Sequence, residues 1–236
     1  MTTKNFDLVT CVLSSGRSGT NMVLEILRGN SYFNVSEEIE NKLFFTNNIV
    51  YPPKYLTKCD TRYISNFELI TKRFEINPTL KIIWTIRNPK DMIPSKIRRG
   101  QSKENGGETN KICDDATEEG CIKELQYMYD CYKFINHNYQ DHMLLIKMEN
   151  IIINIELEIF KMCKFLKIEK EKEMIDFVPR LRKKLLRDRY SKLDKTQIDL
   201  WKNWETVYNN YFSINNYCVP KLFKEIDYIT KYFNYQ

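Results

Sequence analysis

The part of the sequence most suited to chemistry is a short run of small and polar residues, Ser14-Ser15-Gly16-Arg17-Ser18-Gly19-Thr20-Asn21. An apolar, β-prone segment at residues 6–13 precedes this run, and a segment with helical spacing of its apolar residues follows at residues 22–28. A small-residue loop between a strand and a helix gathers backbone N–H groups around a phosphate. We therefore predict that loop 14–21 binds a phosphate, with Arg17 adding positive charge and the hydroxyls at positions 18 and 20 donating hydrogen bonds.

Loop 14–21 lacks the lysine of a Walker A motif. That motif ends in Gly-Lys-Ser/Thr, whose lysine reaches the β- and γ-phosphates and whose hydroxyl binds Mg²⁺. Here Gly19 is followed by Thr20 and Asn21. The loop therefore suits a phosphate without the metal-binding equipment of a kinase. The alternative interpretation is a tight turn between a strand and a helix that binds no ligand.

The composition is that of one globular domain, which we assign to residues 1–236. The chain has 42% hydrophobic and 29% charged residues, as is usual for soluble proteins of this size. No window approaches about 18 uninterrupted apolar residues, and the first residues lack the pattern of a signal peptide. We therefore predict a cytoplasmic protein without a membrane segment. Seven cysteines without CxxC spacing and two histidines argue against a zinc site or a disulfide scaffold, so no metal is expected.

The net charge of +6 is mildly basic. Such a balance favours an anionic small molecule as the ligand and does not single out nucleic acid. The most basic stretch, residues 180–189, is either a nucleic-acid patch or a solvated helix face near an anionic ligand. No specific nucleic-acid partner is predicted.

Apolar, β-prone segments alternate with segments of helical spacing through residue 165. Residues 80–86 form the clearest strand, and residues 142–147 form another buried strand. Asn88 suits a helix N-cap and Pro89 the first helical position, so a helix is predicted to begin there. This alternation predicts an α/β fold of three layers, in which helices cover both faces of a parallel sheet, with a helical C-terminal part.

Further helices are predicted from their apolar spacing. One follows Thr61 as its cap, one covers residues 118–136, and one runs from Glu149 to about Phe165. The polar residues 101–117 show no period and are predicted to form a surface loop.

Three further segments follow loop 14–21 in order, and each overlaps or adjoins a predicted strand, at residues 54–58, 80–86 or 142–147. They are Tyr55-Leu-Thr-Lys58-Cys-Asp, Ile86-Arg-Asn-Pro-Lys-Asp91 with Ser95 eight residues after Arg87, and Lys147-Met-Glu-Asn-Ile151. Together with Ser15-Gly-Arg-Ser-Gly-Thr20, they resemble the sulfotransferase family, whose donor is 3′-phosphoadenosine 5′-phosphosulfate (PAPS). The resemblance covers about residues 6–166 and implies a P-loop NTPase-like sulfotransferase fold. The motif spacing is most similar to that of the tyrosylprotein and bacterial branches.

Each segment is similar to a donor-binding motif of that family. The resemblance implies contacts with the 5′-phosphosulfate from the residues of the loop: Ser15, Gly16, Arg17, Ser18, Gly19, Thr20 and Asn21. The segment that contains Lys58 is similar to the family's Lys-Thr-Pro or Lys-Asp-Pro. The next is similar to the strand and helix that bind the 3′-phosphate, which implies this role for Arg87 and Ser95. Arg99 lies one helical turn beyond Ser95 and adds a second guanidinium. The last is similar to a strand end written Tyr-Glu-Asp-Leu, with Met148 in place of the tyrosine.

By analogy with phosphoryl transfer, a protein catalyses sulfuryl transfer by positioning the reactants and by stabilising negative charge on the equatorial and leaving oxygens. The candidates for stabilising that negative charge are Arg17 and Lys58. It also implies a donor-closing segment near the C-terminus that contains Lys195. For Arg87, the alternative is a structural arginine at a helix start that pairs with Asp91.

A base must take the proton of the acceptor hydroxyl. The tyrosylprotein branch uses a glutamate beyond the phosphate loop, and the spacing from Arg17 to Glu38 matches it. The resemblance therefore implies Glu38 as the base, with Glu37 second and His142 as a further alternative. The two glutamates are otherwise interpreted as carboxylates favoured at a helix start by the helix dipole. Glu40 stands where that branch has an arginine, which argues against an acidic peptide as the acceptor.

The resemblance implies an enzyme that transfers a sulfuryl group from PAPS to a hydroxyl or amine and releases adenosine 3′,5′-bisphosphate (PAP). The alternatives are a P-loop nucleotide or nucleoside kinase and a catalytically inactive protein that binds PAP or PAPS. The acceptor is a small molecule, a glycan or a peptide, in a pocket lined by residues 37–60 and 101–117. Several aromatic residues either contact the acceptor or belong to the core: Tyr32, Phe33, Phe44, Phe45, Tyr51 and Tyr55.

Overall fold

The computed structural model describes residues 7–35, 43–101, 117–177 and 223–235. In this part of the chain, five strands form one sheet in the order β2-β3-β1-β4-β5, and all neighbouring strands are parallel. The strands are β1 (Val9–Ser14), β2 (Asn34–Val35), β3 (Tyr55–Asp60), β4 (Leu80–Ile86) and β5 (Met143–Lys147). Because every strand points the same way, the carboxyl ends of all of them share one edge of the sheet.

The helices alternate with these strands along the chain. They are α1 (Thr20–Arg28), α2 (Glu68–Ile76), α3 (Pro89–Gln101), α4 (Glu118–Asn138), α5 (Met148–Ile153), α6 (Ile155–Leu166), α7 (Lys172–Ile175) and α8 (Asp227–Tyr232). This alternation and the parallel sheet confirm the predicted α/β fold.

Hydrophobic cores lie on both faces of the sheet. Along β1, Val9, Cys11 and Leu13 pack into the core shared with α2, α4 and α8, whereas Val12 packs into the core shared with α1 and α6. In β4 the same alternation directs Trp84 to the first core and Ile83 to the second. The sheet is therefore the middle layer of three, as predicted.

The start of α3 follows its local sequence. Asn88 Oδ1 accepts a hydrogen bond of 3.0 Å from the backbone N–H of Lys90, and Pro89 is the first helical residue. Pro94 lies inside α3, which continues to Gln101.

Two predicted helices have different bounds in the structure. The helix expected from Glu149 to Phe165 is interrupted at Asn154, whose φ is −151° and whose side chain accepts a hydrogen bond from the Leu157 N–H to cap α6. Thr61 does not cap α2; it begins a 3-10 turn whose cap is Asp60, and α2 begins at Glu68. At Asn154 and at Asp60, a side-chain cap begins a new helical element. The spacing of apolar residues does not indicate either position.

Five cysteines lie within the described residues, at positions 11, 59, 121, 131 and 163, and all are free thiols in the interior. Burial raises the pKa of the Cys163 thiol to about 11. No helix of the described ranges is long and apolar enough to cross a membrane. The single-domain assignment stays a prediction, since residues 178–222 lie outside the description.

Candidate active site

The predicted donor-binding segments meet at the carboxyl edge of the sheet. Loop 14–21 leaves β1, which lies between β3 and β4. The register pairs Ser14 with Asp60 and Leu13 with Trp84, so the ends of β3 and β4 flank the loop. Lys58 therefore lies on one side of the loop and Arg87 on the other. Ligands bind at this edge in open parallel sheets because the loops there converge.

The loop turns through two left-handed backbone conformations. Arg17 has a φ of 73° and Gly19 a φ of 97°. Gly19 is the N-cap of α1 and offers no side-chain hydrogen bond, and the first turn of α1 contains no acidic residue. The first N–H groups of a helix have no acceptor within the helix, so this uncapped start of a nine-residue helix suits an anion.

Gly19→Ala is expected to destabilise the protein by about 1–2 kcal/mol, because a left-handed φ is costly for a residue with a β-carbon. That β-carbon would also lie 3.3 Å from the Met148 Cβ and Cγ, closer than usual contacts. Thermal unfolding monitored by circular dichroism measures the change.

Gly29→Ala is the matched control, because Gly29 has a φ of −70° that alanine adopts freely. Such a change is expected to be neutral or to stabilise by about 0.4–1 kcal/mol. Equal melting temperatures for the two variants would contradict the strained geometry at Gly19.

The hydroxyls of Ser15 and Ser18 form hydrogen bonds with other groups of the protein. The Ser18 hydroxyl donates to the Ser15 carbonyl at 2.6 Å and lies 3.1 Å from Thr85 Oγ1. The Ser15 hydroxyl donates to Glu124 Oε1 at 2.5 Å. These contacts shape the loop, so an anion would meet its backbone N–H groups rather than the Ser18 side chain.

Arg17 and Ser95 contact each other directly. The Arg17 Nε and Nη2 atoms donate to Ser95 Oγ at 3.1 Å and 3.0 Å. Arg17 belongs to the loop predicted to hold the 5′ end of the donor, and Ser95 belongs to the helix predicted to hold the 3′ end. The contact brings the two predicted phosphate sites together across 78 positions of sequence.

Lys58 lies beside the start of α1. Its ammonium donates to Asn21 Oδ1 at 2.5 Å. Since Asn21 is the second residue of α1, this contact places the charge of Lys58 next to the uncapped helix start. The predicted loop residues and Lys58 thus form one positively charged group.

The Arg87 turn is held by Glu149, the second residue of α5, which follows β5 directly. The backbone N–H of Asn88 donates to Glu149 Oε1 at 2.8 Å, and the Tyr235 hydroxyl donates to Glu149 Oε2 at 2.7 Å. Arg87 itself is 8% exposed. Through Glu149, the segment 147–151 therefore positions the segment 86–91.

Arg87 also acts on Asp91 electrostatically. Burial raises the pKa of the Asp91 carboxyl, the nearby Arg87 opposes this rise, and the charge of Glu149 adds to it. The pairing of Arg87 with Asp91 therefore stays open as an alternative to phosphate binding.

A buried group of charged residues under the loop was missed in the sequence. Glu124 is fully buried and contacts both Lys96 and Arg62, with Lys96 Nζ at 2.6 Å and Arg62 Nε at 3.7 Å from Oε1. The signal was present, because Glu124 follows Cys121 by three positions and precedes Met128 by four, on the apolar face of α4. An acidic residue on a buried face requires partners.

The family model of the sulfotransferase domain matches residues 9–206. The chain belongs to the sulfotransferase family. No curated protein matches it significantly.

Solved sulfotransferase structures share the fold. The sulfotransferase domain from the curacin biosynthetic pathway is 16% identical, with a TM-score of 0.61 over 97% of this chain and 98% of that one. The domain from the Synechococcus PCC 7002 olefin synthase is 13% identical, with a TM-score of 0.61 over 100% and 98%. Mouse sulfotransferase SULT7A1, complexed with PAP, is 17% identical, with a TM-score of 0.60 over 95% and 84%. At such identities the likeness establishes the sulfotransferase fold.

Several predicted site residues of this sulfotransferase lie outside the described residues. These are Glu37, Glu38, Glu40 and Lys195, and the side chain of Arg99 is not described either. Their predicted roles stay predictions. The same holds for residues 102–116 as an acceptor-binding loop.

His142 lies at the wrong edge of the sheet to act as the base. It immediately precedes β5, and its Nδ1 atom is 2.8 Å from the carbonyl oxygen of Leu80, the first residue of β4. Both positions mark the amino ends of strands, whereas loop 14–21 lies at the carboxyl ends. With a rise of about 3.3 Å per residue, the length of β5 separates His142 from the site.

Most of the aromatic residues considered for the acceptor belong to the core. Phe44, Phe45, Tyr51 and Tyr55 are at most 7% exposed. Phe44 stacks on Tyr51, Tyr51 stacks on Tyr55 with ring centroids 4.4 Å apart, and Phe45 meets Phe44 edge to face. They therefore stabilise the segment before β3 and do not face an acceptor. Among the residues described, no group of His, Cys, Asp or Glu side chains is arranged to hold a metal ion.

Proposed function

We propose that this sulfotransferase takes its sulfuryl group from PAPS, transfers it to a hydroxyl or amine, and releases PAP. The observation that carries the proposal is the contact between Arg17 in loop 14–21 and Ser95 on α3. It joins a loop suited to one phosphate to the helix that follows Arg87, which is suited to a second. A donor with separate 5′ and 3′ phosphates would contact both. The PAP complex of the mouse sulfotransferase also supports this donor.

In the proposed reaction the loop holds the 5′ end of the donor. Backbone N–H groups of loop 14–21 and of the start of α1 would bind the phosphosulfate oxygens. Arg17 and Lys58 would stabilise the charge that grows on the leaving phosphate, as fixed cations do in phosphoryl transfer. Arg87, Ser95 and Arg99 would hold the 3′-phosphate, and Lys195 would close over the donor.

The proposed displacement forms one bond to sulfur, breaks another, and removes one proton from the acceptor. The acceptor oxygen or nitrogen forms a bond to sulfur while the bond between sulfur and the 5′-phosphate oxygen breaks, and its electron pair leaves with PAP. Glu38 would take the proton of the acceptor. The acceptor itself is proposed to be a small molecule, a glycan or a peptide.

PAP is expected to protect the protein against thermal unfolding far more than ATP with Mg²⁺ does, because the proposed site has two positions for anions and loop 14–21 lacks the Walker lysine. At about 100 times its dissociation constant, a ligand adds about 2.7 kcal/mol to stability. Differential scanning fluorimetry over a range of ligand concentrations measures the shift.

Equal or greater protection by ATP with Mg²⁺ would favour the kinase alternative and overturn the PAPS proposal. If PAP protects, transfer of labelled sulfate from PAPS in an acceptor screen then separates an enzyme from an inactive PAP-binding protein.

A further inference from the structure

Buried ionised side chains converge beneath loop 14–21. Glu124 Oε1 accepts from the Ser15 hydroxyl at 2.5 Å and from Lys96 Nζ at 2.6 Å. Arg62 Nε lies 3.7 Å from the same oxygen, and Arg62 Nη2 donates to Asp60 Oδ2 at 2.8 Å. We call Glu124, Lys96, Arg62 and Asp60 the Glu124 cluster. It contains two acidic and two basic groups, so its charges balance.

The Glu124 cluster is largely buried. The side chains of Glu124, Lys96 and Arg62 are 0%, 1% and 5% exposed, and that of Asp60 is 15% exposed. Removing such charges from water costs several kcal/mol per ion, and apolar side chains of similar volume often serve stability equally well. Stability alone is therefore a weak reason to place four ionised groups here.

The position of the cluster against the loop suggests its role. A β-carbon added to Gly16 would lie 3.3 Å from Asp60 Oδ2, 3.4 Å from Arg62 Nη2 and 3.5 Å from Lys96 Nζ. The cluster thus packs directly against the loop backbone at Gly16, and the Ser15 hydroxyl joins it at the neighbouring residue.

Helix α3 contacts the loop through two successive residues. Ser95 accepts from Arg17, and Lys96 donates to Glu124, which in turn accepts from Ser15. Arg17 and Ser15 lie on either side of Gly16. Glu124 therefore completes a second connection between the loop and the helix that carries the 3′-phosphate residues.

We propose that Glu124 is a positioning residue for the donor: it fixes the loop through Ser15 and holds the loop to α3 through Lys96. The spacing between the two phosphate sites then depends on Glu124, which itself contacts no part of the donor. This inference rests on the proposed function, because it assumes that a donor with two phosphates occupies both sites.

A double-mutant cycle on PAP affinity tests the inference by isothermal titration calorimetry. Ser15→Ala removes only the hydroxyl, and Glu124→Gln keeps the shape but loses the charge. Each is expected to weaken PAP about tenfold, since Ser15→Ala removes a charge-assisted hydrogen bond and Glu124→Gln removes the charge that strengthens that bond and pairs with Lys96. The double variant is expected to be no weaker than Glu124→Gln, because both changes act on the same connection. Unchanged affinity in either single variant, or additive losses of about a hundredfold, would overturn the inference.

Glu158→Gln is the matched control. Glu158 is also buried and accepts from Lys161 at 2.6 Å, but it lies on α6, away from the loop. It is expected to lower the melting temperature and to leave PAP affinity unchanged. An equal loss of PAP affinity in Glu158→Gln would mean that any lost buried carboxylate weakens binding, and would overturn the positioning role.

If Glu124→Gln does not fold, the pair of changes Lys96→Met and Glu124→Met replaces the ion pair with apolar side chains, which buried sites tolerate better than one unpaired charge. This variant is expected to fold and to bind PAP about tenfold more weakly; wild-type affinity would overturn the inference. Failure of the wild-type protein to bind PAP would instead overturn the proposed function.

Discussion

Glu38→Gln is expected to lower kcat by about 10² to 10⁴, the usual contribution of a general base. PAP affinity and melting temperature are expected to stay nearly unchanged. Glutamine keeps the size of the side chain and its ability to accept a hydrogen bond, so a structural role survives the change, whereas proton abstraction does not. The measurement is the initial rate of sulfate transfer from labelled PAPS to an acceptor identified by screening.

Glu37→Gln is the control for Glu38, because neighbouring residues are not expected to point at the same sulfur atom. A rate loss at position 37 and none at 38 would move the base by one residue. If neither change affects kcat, the base is another group, and Asp60→Asn is the next variant to measure. Asp60 ends β3, and its Oδ2 lies 3.3 Å from the position of a β-carbon on Gly16, whereas His142 is at the opposite edge.

Arg87→Ala is expected to weaken PAP about 10- to 150-fold, which corresponds to the loss of a charge-assisted hydrogen bond worth about 1.5–3 kcal/mol. Adenosine 5′-phosphosulfate lacks the 3′-phosphate, so its affinity is expected to change little. Calorimetric titration of both ligands into the wild type and the variant measures the difference.

Arg28→Ala is the control for the general loss of positive charge. Arg28 lies at the C-terminal end of α1, pairs with Glu25 at 3.6 Å, and has a side chain that is 36% exposed. It is expected to leave both affinities unchanged. If Arg87→Ala weakens PAP and adenosine 5′-phosphosulfate equally, then Arg87 stabilises the turn through Asp91 and does not recognise the 3′-phosphate.

These experiments address different contacts of one charged site. Glu38→Gln addresses the proton, Arg87→Ala the 3′-phosphate, and the cycle at Ser15 and Glu124 the connection between the two ends of the donor. Because Ser95 contacts Arg17, a change at Ser95 would mix these effects. It is therefore a poorer choice for separating them.

The elements that depend on close neighbours along the chain were determined by the sequence itself. Loop 14–21 follows a β-prone run and precedes a helix, and the structure has β1 and α1 at those places. Asn88 and Pro89 start α3 as predicted. A buried strand or a helix cap depends on only a few consecutive residues, so the types of those residues are sufficient to predict it.

The order of strands and the contacts between distant residues were decided by the tertiary structure. Ser15 and Glu124 are 109 positions apart, and Arg17 and Ser95 are 78 apart. Apolar spacing shows which face of α4 is buried, but it does not show which loop that face meets. The charged partners of Glu124 come from the 3-10 turn after β3 and from α3, and they become neighbours only when the sheet assembles.

The direction of the strands likewise decided whether a residue lies at the amino or the carboxyl edge of the sheet. From its residue type alone, His142 was a reasonable base, and so was Glu38. Parallel strands place all amino ends on one side, and this separates His142 from the loop by the length of β5. A sequence specifies residue types and local conformation, whereas the distance between two chemical groups depends on how the strands pack side by side.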